Sequence, residues 1–290
     1  MIVTIWGTRG SIPTPGPKTV RHGGNTSCVA ARFDDVFVIF DAGTGIRVLG
    51  DHIAQTGRAF DGHLFLSHMH WDHIQGFPFF TPAYVPGNRL RIYEHQDLSR
   101  GLKGLFERGM KSPNFPVEMK EMGASISFLP FQNPVEIRSG PDVVAHVDHA
   151  RLNHPDISLG YRIEDLSSGK TFVYATDTEH TPGEPPDERL RKLAMGADIL
   201  LYDAQYTEEE YEGIGGLPSR KGWGHSTWKE GLKMASAAGV PRLVLFHHDP
   251  GHDDGFLEAV ERKAYDYLKK NQTALAGVES VEMAREGMDL

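Results

Sequence analysis

Within six positions, His68-Met69-His70-Trp71-Asp72-His73 presents three imidazoles and a carboxylate, directly after the alternating run His63-Leu64-Phe65-Leu66. The alternation predicts a strand, and its period of two puts His68 and His70 on the same side of an extended segment. A turn into helix after His70 directs the adjacent pair Asp72 and His73 toward a second point nearby. The chain must therefore end a strand where further ligands can converge. A merely histidine-rich surface loop needs no such partners, but this sequence supplies them. His154 precedes a strand candidate, Asp177 follows one in Ala175-Thr-Asp-Thr178, and His247 ends one in Phe246-His-His-Asp249. Strand ends are where a rigid scaffold presents ligands to one edge. Imidazole and carboxylate donors suit zinc first, with manganese or iron as alternatives.

Composition narrows the partners. The 290 residues carry 39 acidic and 30 basic side chains, a formal charge of −9, which disfavours a non-specific nucleic-acid binder held by counterion release. A small anionic substrate stays compatible if something locally positive receives it. No apolar stretch approaches the ~20 residues of a transmembrane helix, and Met1-Ile-Val-Thr-Ile-Trp6 lacks the features of a signal peptide. A cytoplasmic protein without membrane partners is expected. Cys28 is the only cysteine, which excludes an intrachain disulfide and a cysteine-based zinc cluster.

Eleven strand candidates emerge from alternation or short β-rich runs: 2–6, 27–33, 36–40, 63–67, 89–93, 124–128, 143–149, 159–163, 171–175, 198–202 and 242–246. Helical spacing is clearest at Ile46, Leu49 and Ile53, at Leu232 with Ala235, and from Phe256 through Leu257, Val260 and Ala264 to Leu268. Strand groups followed by alternating strands and helices predict a layered α/β (α+β) protein with more than one sheet. With no internal repeat or linker, residues 1–290 are read as one domain. Residues 77–122, with a helix expected from Asp97 to Arg108, look like an insertion. Ordinary packing of Phe79, Phe80, Tyr84, Phe106 and Phe115 is its first reading; a lid stacking a base or ribose, or a homodimer contact, are the alternatives.

The motif His68-Met-His70-Trp-Asp72-His73, the later His154, Asp177 and His247, and the early Phe40-Asp-Ala-Gly-Thr44 together resemble the metallo-β-lactamase-fold hydrolases, from Trp6 to about His252. The resemblance implies a four-layer αββα sandwich with two divalent ions at one edge. It assigns His68, His70 and His154 to one ion, Asp72, His73 and His247 to the other, and Asp177 to both. Paired ions acidify a shared water and clamp a phosphoryl or acyl centre. The implied nucleophile is a metal-bridging hydroxide oriented by Asp72 and Asp177. No serine or cysteine nucleophile is needed.

Gly224-His225-Ser226-Thr227, before a helix candidate, and Asp203, at a strand end, resemble the His-Ser-Thr element and upstream acid of the phosphodiesterase branch. That branch includes the tRNA 3′-processing nucleases and the phosphoribosyl cyclic phosphodiesterases. A histidine kept protonated by a carboxylate neutralises a phosphoryl oxygen or protonates the leaving oxygen. His225 and Asp203 are assigned those roles, while Ser226 or Thr227 caps the helix. The amino-terminal loop from Gly7-Thr-Arg9-Gly through Arg21-His22-Gly-Gly resembles the loop lining small-molecule phosphodiesterase sites, which makes Arg9, Arg21 and His22 candidates for substrate contact. Arg220 and Lys221 invite a similar reading, and His248 is the substitute should His247 not be a ligand. The tRNA-processing relatives carry a glycine- and proline-rich arm for which this chain has no equivalent, and with the negative charge that disfavours structured RNA. One cysteine cannot build the structural zinc loop of the cyclic phosphodiesterases. The first expectation is thus a phosphodiesterase acting on small or cyclic phosphodiesters. A tRNA 3′-processing endoribonuclease comes second, and a metal-dependent thioesterase or lactonase third.

Overall fold

The computed structural model describes residues 1–95 and 101–290. Among the described residues, thirteen strands form two sheets. The first runs β1 (Ile2–Gly7), β2 (Cys28–Phe33), β3 (Val36–Phe40), β4 (Asp61–Phe65), β5 (Arg89–Glu94) and β6 (Ser125–Pro130) in sequence order. The second runs in reverse from β13 (Ser280–Met283) through β12 (Arg242–Phe246), β11 (Ile199–Asp203), β10 (Thr171–Ala175), β9 (Leu159–Asp165) and β8 (Asp142–Arg151) to β7 (Val135–Ser139).

Alternation along each central strand builds three cores. In β3, Val36, Val38 and Phe40 face the second sheet, while Phe37 and Ile39 face outward. In β12, Val244 and Phe246 face inward, and Leu243 and Leu245 outward. Phe40 lies at the centre, stacked 5.6 Å from Tyr161 and 5.5 Å from Tyr174, and truncating such a buried ring costs about 3–5 kcal/mol. The outward residues of the first sheet are covered by α1 (Gly45–Gln55) and by the helix Leu102–Gly109, through Ile46, Leu49, Ile53, Leu102 and Phe106. Those of the second are covered by helices Glu188–Ala194, Trp228–Ala238 and Asp254–Lys270, through Leu190, Leu232, Leu257 and Leu268. The expected four-layer αββα sandwich is what the chain forms.

Helix ends follow their local chemistry. Thr227 caps Trp228–Ala238 by accepting from the Glu230 amide, and Gly239 ends that helix in the left-handed region. Asp253 caps the helix beginning at Asp254. Phe256, expected on that helix's apolar face, is instead partly exposed and stacked 4.0 Å from His252. The start expected at Asp97 lies outside the described residues; the helix described there is Leu102–Gly109. Segment 77–122 is built into the first sheet: β5 pairs with both β4 and β6, and Phe77 stacks on Phe106 at 4.1 Å inside the outer core. Two strands escaped the sequence reading. β7 has only Val135 and Ile137 as buried apolar positions, and β13 is a four-residue edge. No helix among the described residues is long and apolar enough to cross a membrane.

Candidate metal centre

Strands β3, β4 and β5 run parallel in one sheet, and β10, β11 and β12 run parallel in the other. Their carboxyl ends deliver Asp41, His68, Asp177, Asp203 and His247 to one edge of the sandwich. Asp41, Asp177 and His247 all have left-handed backbones, with φ of 63°, 49° and 62°. Non-glycine residues avoid that region, so these strand ends hold local strain where side chains must turn sharply. Sequence patterns carry no sign of this.

The side chains of His68, His70, His154 and Asp177 place ligand atoms within 4.8 Å of one another, as do those of Asp72, His73 and His247. Asp177 faces both groups. Its Oδ2 lies 3.4 Å from His68 Nε2, and its Oδ1 lies 3.2 Å from the Nε2 atoms of both His73 and His247. Those two ring nitrogens face each other at 3.3 Å, each 3.2 Å from Asp72 Oδ2. Their tautomers are set from behind. His73 Nδ1 bonds Asp41 Oδ2 at 2.7 Å, and His247 Nδ1 bonds Gln205 Oε1 at 2.9 Å, which turns both Nε2 atoms toward the carboxylates. His68 Nε2 is buried without a hydrogen-bond partner. Imidazole nitrogens and carboxylate oxygens converging at these distances, together with an orphaned buried nitrogen, fit a divalent cation.

The two halves of the cluster differ electrically. Desolvation, reinforced by His73, pushes His68 well below the ordinary imidazole value. Desolvation acts on His73 as well, but the Asp72, Asp177 and Asp41 carboxylates outweigh it and raise that imidazole. Burial works against ionisation of Asp72, yet His73 and His247 hold it far below the usual carboxylate range.

His225 stands beside this cluster, its Nδ1 2.8 Å from Asp203 Oδ2 and 3.9 Å from Asp177 Oδ2. Burial opposes its charge, but Asp203 overcomes that and pushes the imidazole up to about 9. The loop before it is fastened by Glu179, which accepts from the amides of Gly222 (2.7 Å) and Gly224 (2.9 Å) and from Tyr211 Oη (2.7 Å). Gly224 has φ +90°, and a Cβ there would lie 2.2 Å from the His154 ring. His180 Nδ1 lies 2.9 Å from Ser226 Oγ. Sequence reasoning missed Glu179, Gln205 and His180, although Glu179 and His180 lie only two and three residues after Asp177.

The amino-terminal loop reaches the cluster with its backbone rather than its cations. The Ser11 amide donates to Asp72 Oδ2 at 2.7 Å, and a Cβ at Gly10 would strike the His247 ring at 2.5 Å. Arg9, expected to contact substrate, is fully buried and turned inward, donating to the carbonyls of Gly23 (2.8 Å) and His252 (2.6 Å). Arg21 is spent on Glu258 at 2.9 Å. His22 is buried with Nδ1 on Asp254 at 3.1 Å. These three side chains are engaged in bracing the loop against the Gly23 and His252 carbonyls, Asp254 and Glu258. His248 likewise turns away, to the Ala284 carbonyl at 2.9 Å, and is not needed in place of His247.

A two-sheet sandwich that gathers imidazoles and carboxylates at one edge defines a metal-dependent hydrolase. The model of the beta-lactamase superfamily domain matches residues 37–248, and the chain belongs to that family. Ribonuclease Z of Haloarcula marismortui is 27% identical over 288 aligned residues, covering 85% of this chain and 86% of the relative. Among solved structures, the metallo-beta-lactamase fold protein YhfI from Bacillus subtilis has a TM-score of 0.67 at 19% identity, covering 100% of this chain and 98% of the other. Human tRNase Z, short form, has a TM-score of 0.65 at 19% identity, with 100% and 98% covered. These two likenesses carry the fold.

Proposed function

We propose that the chain is a dinuclear metal phosphodiesterase of the cytoplasm acting on small or cyclic phosphodiesters. His68, His70 and His154 would hold one ion, Asp72, His73 and His247 the second, and Asp177 would serve both, with zinc the first choice over manganese or iron. When bound, the ions supply Lewis acidity that lets water attack at neutral pH. Asp72 and Asp177 orient the attacking water. His225, held by Asp203, donates a hydrogen bond to a phosphoryl oxygen or a proton to the leaving oxygen.

The observation that carries this reading is the His225–Asp203 contact at 2.8 Å beside Asp177. Acyl hydrolysis of a thioester or lactone has no need of such a pair, whereas a phosphoryl centre whose negative charge is shared by two oxygens, with a poor leaving group, does. The ribonuclease relative favours a second reading, cleavage of tRNA 3′ ends. The formal charge of −9 weighs against a structured RNA. The test is a side-by-side assay of metal-loaded protein on bis(p-nitrophenyl) phosphate, cyclic nucleotides, precursor tRNA and a lactone. Turnover of the first two supports the proposal. Lactone hydrolysis without phosphodiester hydrolysis, or turnover confined to precursor tRNA, defeats it.

A further inference from the structure

We infer that Trp71 is a stacking platform for a nucleobase, so that the diester cleaved here carries a nucleoside; the inference rests on the phosphodiesterase reading above. Trp71 opens the short helix Trp71–Ile74 between His70 and Asp72. Asp72 and His73 beside it are buried, yet the indole is 81% exposed, more than any other large hydrophobic side chain among the described residues. It lines the same open depression, about 400 Å³, as Asp72, Asp177 and His225.

The short helix under the indole is anchored through its backbone and its neighbours: the His73 carbonyl accepts from the Ala42 amide at 2.7 Å, the Asp72 side chain accepts from the Ser11 amide at 2.7 Å, and the His73 ring bonds Asp41 at 2.7 Å. Among the described residues the ring has no aromatic, cationic or hydrogen-bonding partner. A large flat apolar surface is thus fixed at the mouth of a phosphoryl site with its faces open, which is what a stacked base requires.

The other exposed indole in this region, Trp223, is a poorer platform because the Arg220 guanidinium sits 4.4 Å over its ring. The residues lining the depression include no lysine or arginine. Recognition there falls to stacking rather than to tracking a long phosphate backbone, which points to a short nucleotide diester.

The test compares two substrates with one leaving group, thymidine 5′-(p-nitrophenyl phosphate) and methyl p-nitrophenyl phosphate, on the metal-loaded protein. Stacking strength predicts that the base raises kcat/KM by about tenfold or more, through KM. Trp71→Ala should bring the ratio of the two substrates close to one, and Trp71→Phe should retain most of it. The ratio is an internal reference, and metal content measured on each variant separates lost stacking from disturbed ligands. Equal rates on both substrates in the unaltered protein overturn the inference and leave the phosphodiesterase reading standing. A ratio that survives Trp71→Ala but falls in Trp223→Ala also overturns it. Hydrolysis of neither diester sinks the reading beneath it as well.

Discussion

Asp41 Oδ2 lies 2.7 Å from His73 Nδ1, and the same buried carboxylate accepts from Tyr174 Oη at 2.7 Å and from the Ser67 amide and hydroxyl at 2.7 and 2.8 Å. One side chain at the end of β3 therefore orients a ligand candidate from the short helix after β4 and ties both to β10 of the opposite sheet. Asp41→Asn keeps the shape but loses the charge that fixes the His73 tautomer. Metal affinity should fall roughly 10–100-fold, measured by competition with a chromophoric chelator.

His225→Ala and Asp203→Asn should each lower kcat on a phosphodiester by about 10²–10⁴-fold. Bound metal, measured by elemental analysis, should stay at the wild-type level. Loss of metal in His225→Ala would show that this imidazole is a ligand rather than the proton donor.

Glu179 never faces the ligand atoms, yet it holds the Gly222 and Gly224 amides. Glu179→Ala leaves those two amides without their acceptor, at about 1–3 kcal/mol for each that stays buried, and leaves Tyr211 Oη only the His180 carbonyl at 3.3 Å. The loop carrying His225 should loosen, and amide exchange at residues 222–225 should quicken along with a fall in kcat. Unchanged exchange with full activity would remove Glu179 from this role.

His63 supplies a pH test away from the metal cluster. The ring is buried, with Nδ1 2.8 Å from Tyr93 Oη, and desolvation, aided by Arg91, lowers its pKa from 6.5 to about 4. Between those values the unfolded chain binds more protons than the folded one. The contribution is therefore fully present above pH 6.5 and is lost as pH falls toward 4, by about 3 kcal/mol. Urea midpoints should decline over that window, and His63→Gln should flatten the decline. Parallel curves for the two proteins would exclude the assignment.

Removing metal should abolish turnover and lower the melting temperature, because ligands that bind only the folded state stabilise it by about 2.7 kcal/mol at a hundredfold excess over Kd. Titrating zinc, and separately manganese, into chelator-treated protein should restore both. Full activity after exhaustive chelation would refute the metal mechanism.

Much of this molecule is readable from the chain. The run from His68 to His73 and the isolated His154, Asp177 and His247 converge because each lies at or beyond a strand end, and strand ends are marked by where apolar alternation stops. Arg9 was misleading because a cation in a glycine-rich loop looks the same whether it meets a phosphate or three backbone carbonyls. Asp41 appeared in a recognisable motif, but its four-way hydrogen bonding depends on residues up to 133 positions away. The left-handed backbones at Asp41, Asp177 and His247 are set by long-range packing, which overrides the local preferences that sequence reading relies on.

The division of the ligand candidates between the sheets has a mechanical meaning. His68, His70, Asp72 and His73 come from the segment after β4, whereas His154, Asp177 and His247 come from the opposing sheet. An ion bound across that seam would act as a rivet between halves that otherwise meet through greasy contacts and a few hydrogen bonds, such as those from Tyr174 Oη to Asp41 and from Tyr161 Oη to the Leu66 carbonyl. Prying the two slabs apart at this rim, by heat or by a bulky mutation beneath Phe40, should dismantle the reaction centre before either slab loses its own strands.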